Sequence, residues 1–397
     1  MKVVDVETFV VSNPPPSFGG RYFTFVKVAT SDGIVGYGEA YAGTFHPDAV
    51  VAMIRDVADR HLIGRDPFDV ESFMRSVYGR GFTLRPDVTL TGVASSLELA
   101  CWDIIGKSVD KPVYKLLGGQ VHERLRTYTY LYPEEGDRSD VYQDPALASE
   151  RAAEYVDRGF TAVKFDPTGP YTVMGGHQPS RRRIERSVDF VRDIRAAVGD
   201  RADILFGTHG QFTASGAIRL ASRLQPYDPL WFEEPVPPDD WSGMARVAAG
   251  TAIPLAAGER LTTSGEFDRL LDCGVGIVQP NLGRAGGILE GKKIASLAAT
   301  HNAQVAPHLY CGPIVGAANI QLATCSPNFL ILEGIGDWSG FHAELLKTPI
   351  TWDDGYVIPS TAPGLGVVLD EDVARAHPYT GDGLHLDMTD RPIDVDD

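Results

Sequence analysis

The sequence has few cysteines and no long apolar run. Only four of its 397 residues are cysteines, and none forms a CxxC pair, so we expect reduced structural thiols, as in a cytoplasmic protein. No stretch reaches the roughly 18 apolar residues of a membrane-spanning helix, so no membrane partner is expected. The first residues lack a basic start followed by an apolar core, so we expect no secretory signal.

The sequence also lacks basic charge. It has 53 acidic and 36 basic side chains, which gives a formal net charge of −17. Without a basic excess, nothing offsets the repulsion from a phosphate backbone, so we expect no nucleic-acid partner. A small anionic substrate is compatible with this charge because one local cation outweighs distant charges.

No GxGxxG motif follows the first predicted strand, which argues against dinucleotide binding. The chain instead changes pattern once. Residues 1–124 begin with three β-rich runs followed by helical patterns, which predicts an α+β capping domain. Over residues 125–345, eight strand-like runs alternate with helix-like runs, which predicts an α/β fold of the (β/α)-barrel type. An open doubly wound sheet is the alternative, and segment 346–397 is expected to return to the capping domain and complete it.

Polar side chains follow seven successive predicted strands of the barrel. In a parallel barrel the active site lies at the C-terminal ends of the strands, so this pattern indicates a functional site. The side chains concerned are Lys164, Asp166, His209, Gln211, Glu233, Glu234, Glu259, Arg260, Asn281, Arg284, His308 and Glu333.

The order of short motifs resembles one family. The barrel carries, in order, KFD, FEEP, AGE, PNLGRAGG, APH and LEG; the first domain carries GYGEA, WDIIGK and LLGG, and the tail carries PGLGV. This combination resembles the enolase superfamily in its mandelate racemase-like branch, over nearly the whole chain. Within that branch the pattern is most similar to acid-sugar dehydratases of the galactonate and mannonate type.

The resemblance implies a chemistry. A divalent metal, Mg²⁺, would stabilise an enediolate after a Lys or His removes the proton α to a carboxylate. β-Elimination of water from the sugar acid would then give a 2-keto-3-deoxy acid. By resemblance, Glu233 and Glu259 are metal ligands; the alternative is that they are buried strand-end carboxylates paired with Lys or Arg. A symmetric homo-oligomer is also expected.

Two positions depart from the family pattern. The aspartate expected as first metal ligand falls on Gly207, which has no side chain to coordinate. The aspartate that orients the histidine after strand seven falls on Asn281, whose oxygen could still accept the imidazole N–H, so we expect His308 to be a weaker base. Asp166 follows the strand before the one that leads to Gly207, and it stands where the racemases have a lysine. We therefore predict a relocated metal site of Asp166, Glu233 and Glu259; alternatively, Asp166 only pairs with Lys164 or an arginine.

The remaining roles also follow from the resemblance. His209 is expected to transfer protons, with metal ligation or a structural hydrogen bond as alternatives. His308 is expected to be catalytic with Asn281, and Lys164 to neutralise the substrate carboxylate or the enediolate. Glu333 would hydrogen-bond the substrate carboxylate when protonated. The predicted substrate-binding residues are Arg21, Tyr22, Gln211 and Arg284, and the long insertion 166–183 could add contacts.

Two other functions stay open from the sequence. An epimerase or cycloisomerase would use the same enediolate but needs competent bases on both faces of the α-carbon, which the changes at Asp166 and Asn281 disfavour. A sugar-acid-binding protein that has lost efficient catalysis is compatible with Gly207.

Overall fold

The computed structural model describes residues 1–82 and 84–393. The chain begins with an antiparallel sheet of β1 (Val3–Ser12), β2 (Tyr22–Thr30) and β3 (Val35–Ala40), in the order β1–β2–β3. Three helices follow, α1 (Pro47–His61), α2 (Val70–Gly79) and α3 (Val88–Ser108), and then the short α4 (Val113–Leu116). The sheet and these helices share one apolar core, as the α+β pattern predicts.

Helix α3 is the central element of this first unit. It packs so closely on β3 that a Cβ atom at Gly38 would lie 1.8 Å from the main-chain oxygen of Ser96. The helix is long and apolar enough to span a membrane by length and composition, but 78% of its most apolar stretch is buried inside the protein. We therefore interpret α3 as a core helix.

The second unit is the predicted barrel, and all eight predicted strands are present. Neighbouring strands pair in parallel from β4 to β10, and β11 pairs with β4. The main chain of Val305 bonds Asn328 and Leu330 ahead of β11, which closes the ring. The strands are β4 (Leu125–Tyr130), β5 (Ala162–Phe165), β6 (Asp203–Phe206), β7 (Trp231–Glu233), β8 (Leu255–Ala257), β9 (Ile277–Val278), β10 (Gln304–Val305) and β11 (Leu332–Gly334).

Helices between the strands surround the barrel. Several begin with a side-chain cap, such as the capping box of Thr263 and Glu266 at α9. These helices are α5 (Pro145–Asp157), α6 (Arg181–Val198), α7 (Ala214–Leu224), a 3₁₀ turn (Gln225–Tyr227), α8 (Trp241–Gly250), α9 (Ser264–Asp272), α10 (Gly287–Thr300), α11 (Pro313–Thr324) and α12 (Phe341–Glu344).

Inside the barrel, a layer of buried side chains forms a floor below the site. Two of its members are large, and their rings meet edge to face with centroids 5.3 Å apart; the other strands contribute smaller residues that fit around them. The layer consists of Tyr128, Ala162, Leu205, Trp231, Ala256, Ile277, Ala306 and Ile331.

The C-terminal segment contacts the barrel before it reaches the first unit. A hairpin of β12 (Thr351–Asp353) and β13 (Tyr356–Ile358) pairs antiparallel with β4. The sequence predicts one strand here, but Asp354 and Gly355, both at positive φ, form a two-residue turn between two strands.

The chain then packs on β1 through α13 (Glu371–Ala376) and the main chain of Pro378. Further on, the main chain of Thr389 bonds Tyr171 and Val173 of the 166–183 insertion. The tail thus links the first unit to a loop at the barrel mouth. The domain limits at 124/125 and 345/346 stay a prediction, and residues 394–397 of the predicted tail segment lie outside the described part.

Candidate active site

The predicted polar side chains lie at one mouth of the barrel because all eight parallel strands end there. Lys164 lies in β5, Glu233 ends β7 and Asp166 directly follows β5. His209 and His308 lie three residues beyond the ends of β6 and β10. Several of these side chains are buried in the protein: Lys164, Glu233, Glu259, Asn281, His308 and Glu333.

The deepest group of charges, which we call the lysine cluster, consists of Lys164, Glu233, Glu333 and Trp231. Lys164 Nζ donates to Glu233 Oε1 at 2.5 Å and to Glu333 Oε1 at 3.3 Å. The indole Nε1 of Trp231 donates to the other oxygen, Glu233 Oε2, at 2.9 Å. Both carboxylate oxygens of Glu233 therefore already have a donor.

The lysine cluster contains a charged ammonium. Burial lowers the pKa of Lys164, but the carboxylates of Glu233 and Glu333 outweigh this effect and hold that pKa well above its usual range. Burial raises the pKa of Glu333 to about 7, against the opposing effect of Lys164. Glu333 can therefore carry a proton near neutral pH, as the resemblance requires for a contact to a carboxylate.

The space for a side chain at position 207 is tight. A Cβ atom at Gly207 would lie 3.1 Å from the Tyr130 hydroxyl, 3.2 Å from Lys164 Cε and 3.3 Å from the main-chain oxygen of Phe165. Contacts this short require the neighbours to move. Lys164 and Tyr130 are thus the side chains that would have to give way to a side chain at 207.

On the β5–β6 side of the mouth, Asp166 pairs with His209. The imidazole Nδ1 lies 3.1 Å from Asp166 Oδ2, and Asp166 Oδ1 accepts from the main-chain N–H and hydroxyl of Thr168. The main-chain N–H of His209 donates to Gln211 Oε1 at 2.9 Å, and the Tyr171 ring meets the imidazole edge to face. These contacts fix the His209 ring and leave Nε2 as the nitrogen that Asp166 does not engage.

On the opposite side of the mouth, Asn281 pairs with His308 in a way that differs from the sequence prediction. The main-chain N–H of Gly283 donates to Asn281 Oδ1 at 2.9 Å, and an N–H group can only donate. The amide Nδ2 of Asn281 therefore faces His308 Nδ1, at 2.9 Å, and donates to it. The neutral imidazole then carries its hydrogen on Nε2, which lies 3.3 Å from Glu259 Oε2.

The two histidines have opposite pKa shifts. Burial lowers the pKa of His209, but the hydrogen bond to Asp166 and the charge of Glu259 outweigh it and raise this pKa to about 9. Burial lowers the pKa of His308 to about 3, although the charge of Glu259 opposes the shift. At neutral pH, His209 is an imidazolium and His308 is a neutral hydrogen-bond donor.

The residues at the mouth do not fit the magnesium site that the resemblance implies. The sequence predicts a ligand set of Asp166, Glu233 and Glu259, but Asp166 pairs with His209 and Glu233 pairs with Lys164. In the described part of the chain, no group of three His, Cys, Asp or Glu side chains could hold a metal ion. The alternative expectation, that Asp166 pairs with Lys164 or an arginine, also differs from the observed partner.

The four predicted substrate-binding residues lie in different places. Gln211 belongs to the His209 side, where its amide also bonds Thr168. Arg284 lies at the mouth, with its guanidinium over the Tyr41 ring at 3.7 Å and Nη1 donating to the Glu259 main-chain oxygen.

The other two of the four belong to the first unit rather than to the barrel. Tyr22 is buried, and its ring centroid lies 4.7 Å from that of Tyr379 in the tail. Arg21 is half exposed and binds Leu384 O and Asp387 of the tail. The structure therefore does not bring Arg21 together with the polar groups of the mouth.

Sequence reasoning missed three aromatic or imidazole groups. Trp231 stands two residues before Glu233, so the alternation of a strand could have placed both inside the barrel. Tyr130 lies at the end of β4, and Lys164 Nζ lies 4.7 Å from the centre of its ring. His385 is buried in the tail, with its ring centroid 5.0 Å from that of Tyr41, and no local pattern announces that contact.

A charged pair also flanks the mouth. Glu234, which follows β7 at positive φ, bonds Arg260 Nη2 at 2.7 Å. Burial raises the pKa of Glu234 to about 7, although Arg260 opposes the shift. This pair links the ends of β7 and β8 without joining the lysine cluster.

Comparison with protein-family models gives two matches that together span most of the chain. Residues 6–118 match the N-terminal domain of mandelate racemase/muconate lactonizing enzymes. Residues 147–373 match the model described as enolase C-terminal domain-like. The first match covers the β1–β3 unit and the second covers most of the barrel.

Individual proteins match over most of their length. A D-gluconate dehydratase of Thermoproteus tenax is 34% identical over 94% of this chain and 72% of its own length. A D-galactonate dehydratase of Xanthomonas oryzae pv. oryzae (strain PXO99A) is 36% identical over 88% of this chain and 90% of its own. A solved structure of a candidate mandelate racemase/muconate lactonizing enzyme from Labrenzia alexandrii DFL-11 has 62% identity and a TM-score of 0.97, with 99% of each chain covered.

Proposed function

The chain belongs to the mandelate racemase/muconate lactonizing enzyme branch of the enolase superfamily, and from this membership we propose that it is an acid-sugar dehydratase. The enzyme would remove the proton α to the carboxylate of a sugar acid and expel the neighbouring hydroxyl as water. The product would be a 2-keto-3-deoxy acid. Relatives that are at least 34% identical over most of this chain, a D-gluconate and a D-galactonate dehydratase, support this reaction class.

The observation that carries the proposal is the Asp166–His209 pair. Its imidazole is fixed by a carboxylate, and its pKa of about 9 is closer to neutral than that of His308, at about 3. A histidine oriented by a carboxylate is an established arrangement for proton transfer. Proton transfer in this chain is therefore assigned to His209, with Asp166 as its positioning residue.

The substrate carboxylate is assigned to Lys164 and Glu333. The Lys164 ammonium is charged and two of its three N–H donors already bond carboxylates, which leaves the third for the substrate. An ammonium next to the carboxylate stabilises the negative charge that grows there when the α-proton leaves. Protonated Glu333 adds a neutral neighbour and so avoids repulsion between two carboxylates.

One histidine can perform both proton transfers of the elimination. Neutral His209 accepts the α-proton on Nε2, and the electrons of the C–H bond form the enediolate. The imidazolium then returns that proton to the C3 hydroxyl as the C3–O bond breaks, so water leaves and His209 is neutral again. The enol that remains loses its O–H proton, gains a proton at C3 and becomes the 2-keto acid.

His308 is assigned a second, different role. Because Asn281 donates to Nδ1, the hydrogen on Nε2 is available as a donor to a substrate oxygen. The magnesium ion that the resemblance implies takes no part in these steps, since the ligand set does not fit it. A cytoplasmic location and a homo-oligomeric assembly stay predictions from the sequence.

The test uses the purified protein and a panel of aldonic and aldaric acids, including D-gluconate and D-galactonate, in deuterated water. Formation of a 2-keto acid from one member is the expected result. Deuterium at the α-carbon with all hydroxyls retained would instead indicate epimerisation. Binding of an acid without either change would indicate a protein that has lost catalysis, and both of these results would overturn the proposal.

A further inference from the structure

The centre of the barrel already contains a cation that belongs to the chain. We propose that the Lys164 ammonium takes the place of a divalent metal at this mouth, where it neutralises Glu233 and receives the substrate carboxylate. Only the last part, the contact to a carboxylate substrate, rests on the proposed function. The replacement of the metal rests on the geometry of four residues.

The first argument is the occupation of Glu233. This residue stands at a metal-ligand position by resemblance, yet Lys164 holds one of its oxygens at 2.5 Å and Trp231 holds the other at 2.9 Å. Both donors are buried away from bulk solvent. A metal ion bound to Glu233 would have to share an oxygen with one of these donors, and on the Oε1 side it would lie beside the Lys164 ammonium.

The second argument is the use of space. Gly207 removes one carboxylate from the mouth, and Lys164 Cε lies 3.2 Å from the place where the missing Cβ would be. The carboxylate that Gly207 lacks would therefore stand beside the Lys164 side chain. A side chain at 207 would require Lys164 to move by a few tenths of an ångström.

The third argument is the position of the remaining carboxylate. Glu259, the other expected ligand, has Oε2 at 3.3 Å from His308 Nε2, which carries a hydrogen. The main-chain oxygen of Glu259 accepts from Arg284 Nη1, which adds a second cation nearby. Oε2 of Glu259 nevertheless accepts no hydrogen bond within the described residues, so the mouth keeps one open carboxylate rather than the set of three that a metal site needs.

The direct test is binding of Mn²⁺, followed by electron paramagnetic resonance, to wild-type protein freed of metal with a chelator. The control is Glu233→Gln, which removes the charge of the expected ligand and keeps its size. We expect wild type and Glu233→Gln to bind Mn²⁺ equally weakly. Stoichiometric binding by wild type that Glu233→Gln weakens tenfold or more would overturn the proposal.

A second variant tests whether Lys164 is the reason. Lys164→Ala combined with Gly207→Asp frees an oxygen of Glu233, makes room beside β6 and restores the missing carboxylate. We expect this double variant to bind Mn²⁺ at least about 100-fold more tightly than wild type, and the gain to disappear when Glu233→Gln is added. If the double variant melts cooperatively, as wild type does, but does not bind Mn²⁺, the role given to Lys164 is contradicted. If the double variant does not fold, the comparison of wild type with Glu233→Gln still tests the proposal.

The outcome can be separated from that of the proposed function. Mn²⁺ binding is measured without any sugar acid, whereas turnover is measured separately by 2-keto acid formation with and without chelator. A chelator should change turnover less than twofold if the proposal holds; a loss of tenfold or more that Mg²⁺ restores would overturn it. If no acid is turned over under either condition, the proposed function fails and the Mn²⁺ comparison still stands.

Discussion

Two histidines lie at the barrel mouth on opposite sides, and their partners make them different groups. His209 follows β6 and has a carboxylate, Asp166, at Nδ1. His308 follows β10 and has an amide, Asn281, at the same ring nitrogen. The carboxylate raises the pKa of His209 to about 9, whereas burial lowers that of His308 to about 3.

The comparison shows that a histidine's role depends on the group behind it more than on its place in the barrel. A carboxylate can only accept, so it keeps the hydrogen on Nδ1 and supports an imidazolium. An amide whose oxygen is already bonded can only donate, so it leaves the hydrogen on Nε2. The first arrangement produces a proton carrier and the second a hydrogen-bond donor.

The largest expected effect separates the two rings directly. His209→Gln should lower kcat by about 10⁴-fold, at the upper end for loss of an acid–base group, because no other group replaces it. His308→Gln keeps an N–H donor and should lower kcat only about tenfold, roughly the value of one hydrogen bond. Equal losses in the two variants, measured by 2-keto acid formation, would contradict the assignment.

The next effect concerns the partners. In wild type the neutral form of His209 grows tenfold per pH unit until about pH 9, so kcat should rise with pH and level off there. Asp166→Asn removes the charge that supports the imidazolium, so the rise should move about 1–3 units to lower pH and the plateau should fall by about 100-fold. A pH profile that keeps its midpoint in Asp166→Asn would show that the carboxylate does not set the His209 pKa.

The reciprocal change is Asn281→Asp. A carboxylate there still accepts the Gly283 N–H but can no longer donate to His308, so the hydrogen should move to Nδ1 and His308 should become a second base. We expect this variant to exchange the substrate α-proton with deuterated water faster than it forms 2-keto acid. If the α-proton exchanges no faster than in wild type, the claim that Asn281 sets the role of His308 is contradicted.

A smaller effect concerns the pH dependence of folding stability, which limits the pH range of the comparisons above. Glu371 of α13 bonds Lys27, Tyr37 and Arg375, and these bonds outweigh its burial and lower its pKa from 4.5 to about 2. Because the folded-state value is depressed, the stabilisation is complete above pH 4.5 and is lost as the pH falls towards 2.

Glu371→Gln should therefore lower the thermal midpoint by about 2 °C at pH 7 and narrow that gap near pH 2. Thermal melting of both proteins from pH 2 to 10 checks this. A difference in thermal midpoint that stays constant over the whole pH range would contradict an ionic origin of the Glu371 stabilisation. The changes in kcat between pH 6 and 10 would still reflect the groups at the barrel mouth.

The smallest expected effect is at Arg21. Its guanidinium is half exposed and bonds Asp387 and Leu384 of the tail, so Arg21→Gln should change kcat/KM by less than about threefold. Asp387→Asn is the matched control because it weakens the same pair from the other side. A much larger rise in KM for Arg21→Gln alone would support the sequence prediction that Arg21 binds substrate.

The sequence was sufficient for the architecture because each element has a local cause. The eight strand-like runs alternate with capped helices, and parallel strands bring their polar ends to one mouth regardless of detail. The departure at Gly207 was likewise visible, since a glycine cannot coordinate a metal.

The partners at the mouth could not be predicted because they depend on distances of a few tenths of an ångström between strands. Asp166 was expected to bind a metal but pairs with His209. Asn281 was expected to accept from His308, but a main-chain N–H from Gly283 takes its oxygen and reverses the bond. His385 comes from the tail, and only the three-dimensional path of that segment places it beside Tyr41.

The most direct test of the account is nitrogen NMR of the histidine side chains in ¹⁵N-labelled protein, with His209→Gln and His308→Gln for assignment. At pH 7.5 we predict that His209 carries hydrogen on both ring nitrogens and loses one near pH 9. Under the same conditions, His308 should be neutral, with its hydrogen on Nε2. A neutral His209 at pH 7.5, or a His308 with its hydrogen on Nδ1, would contradict the account.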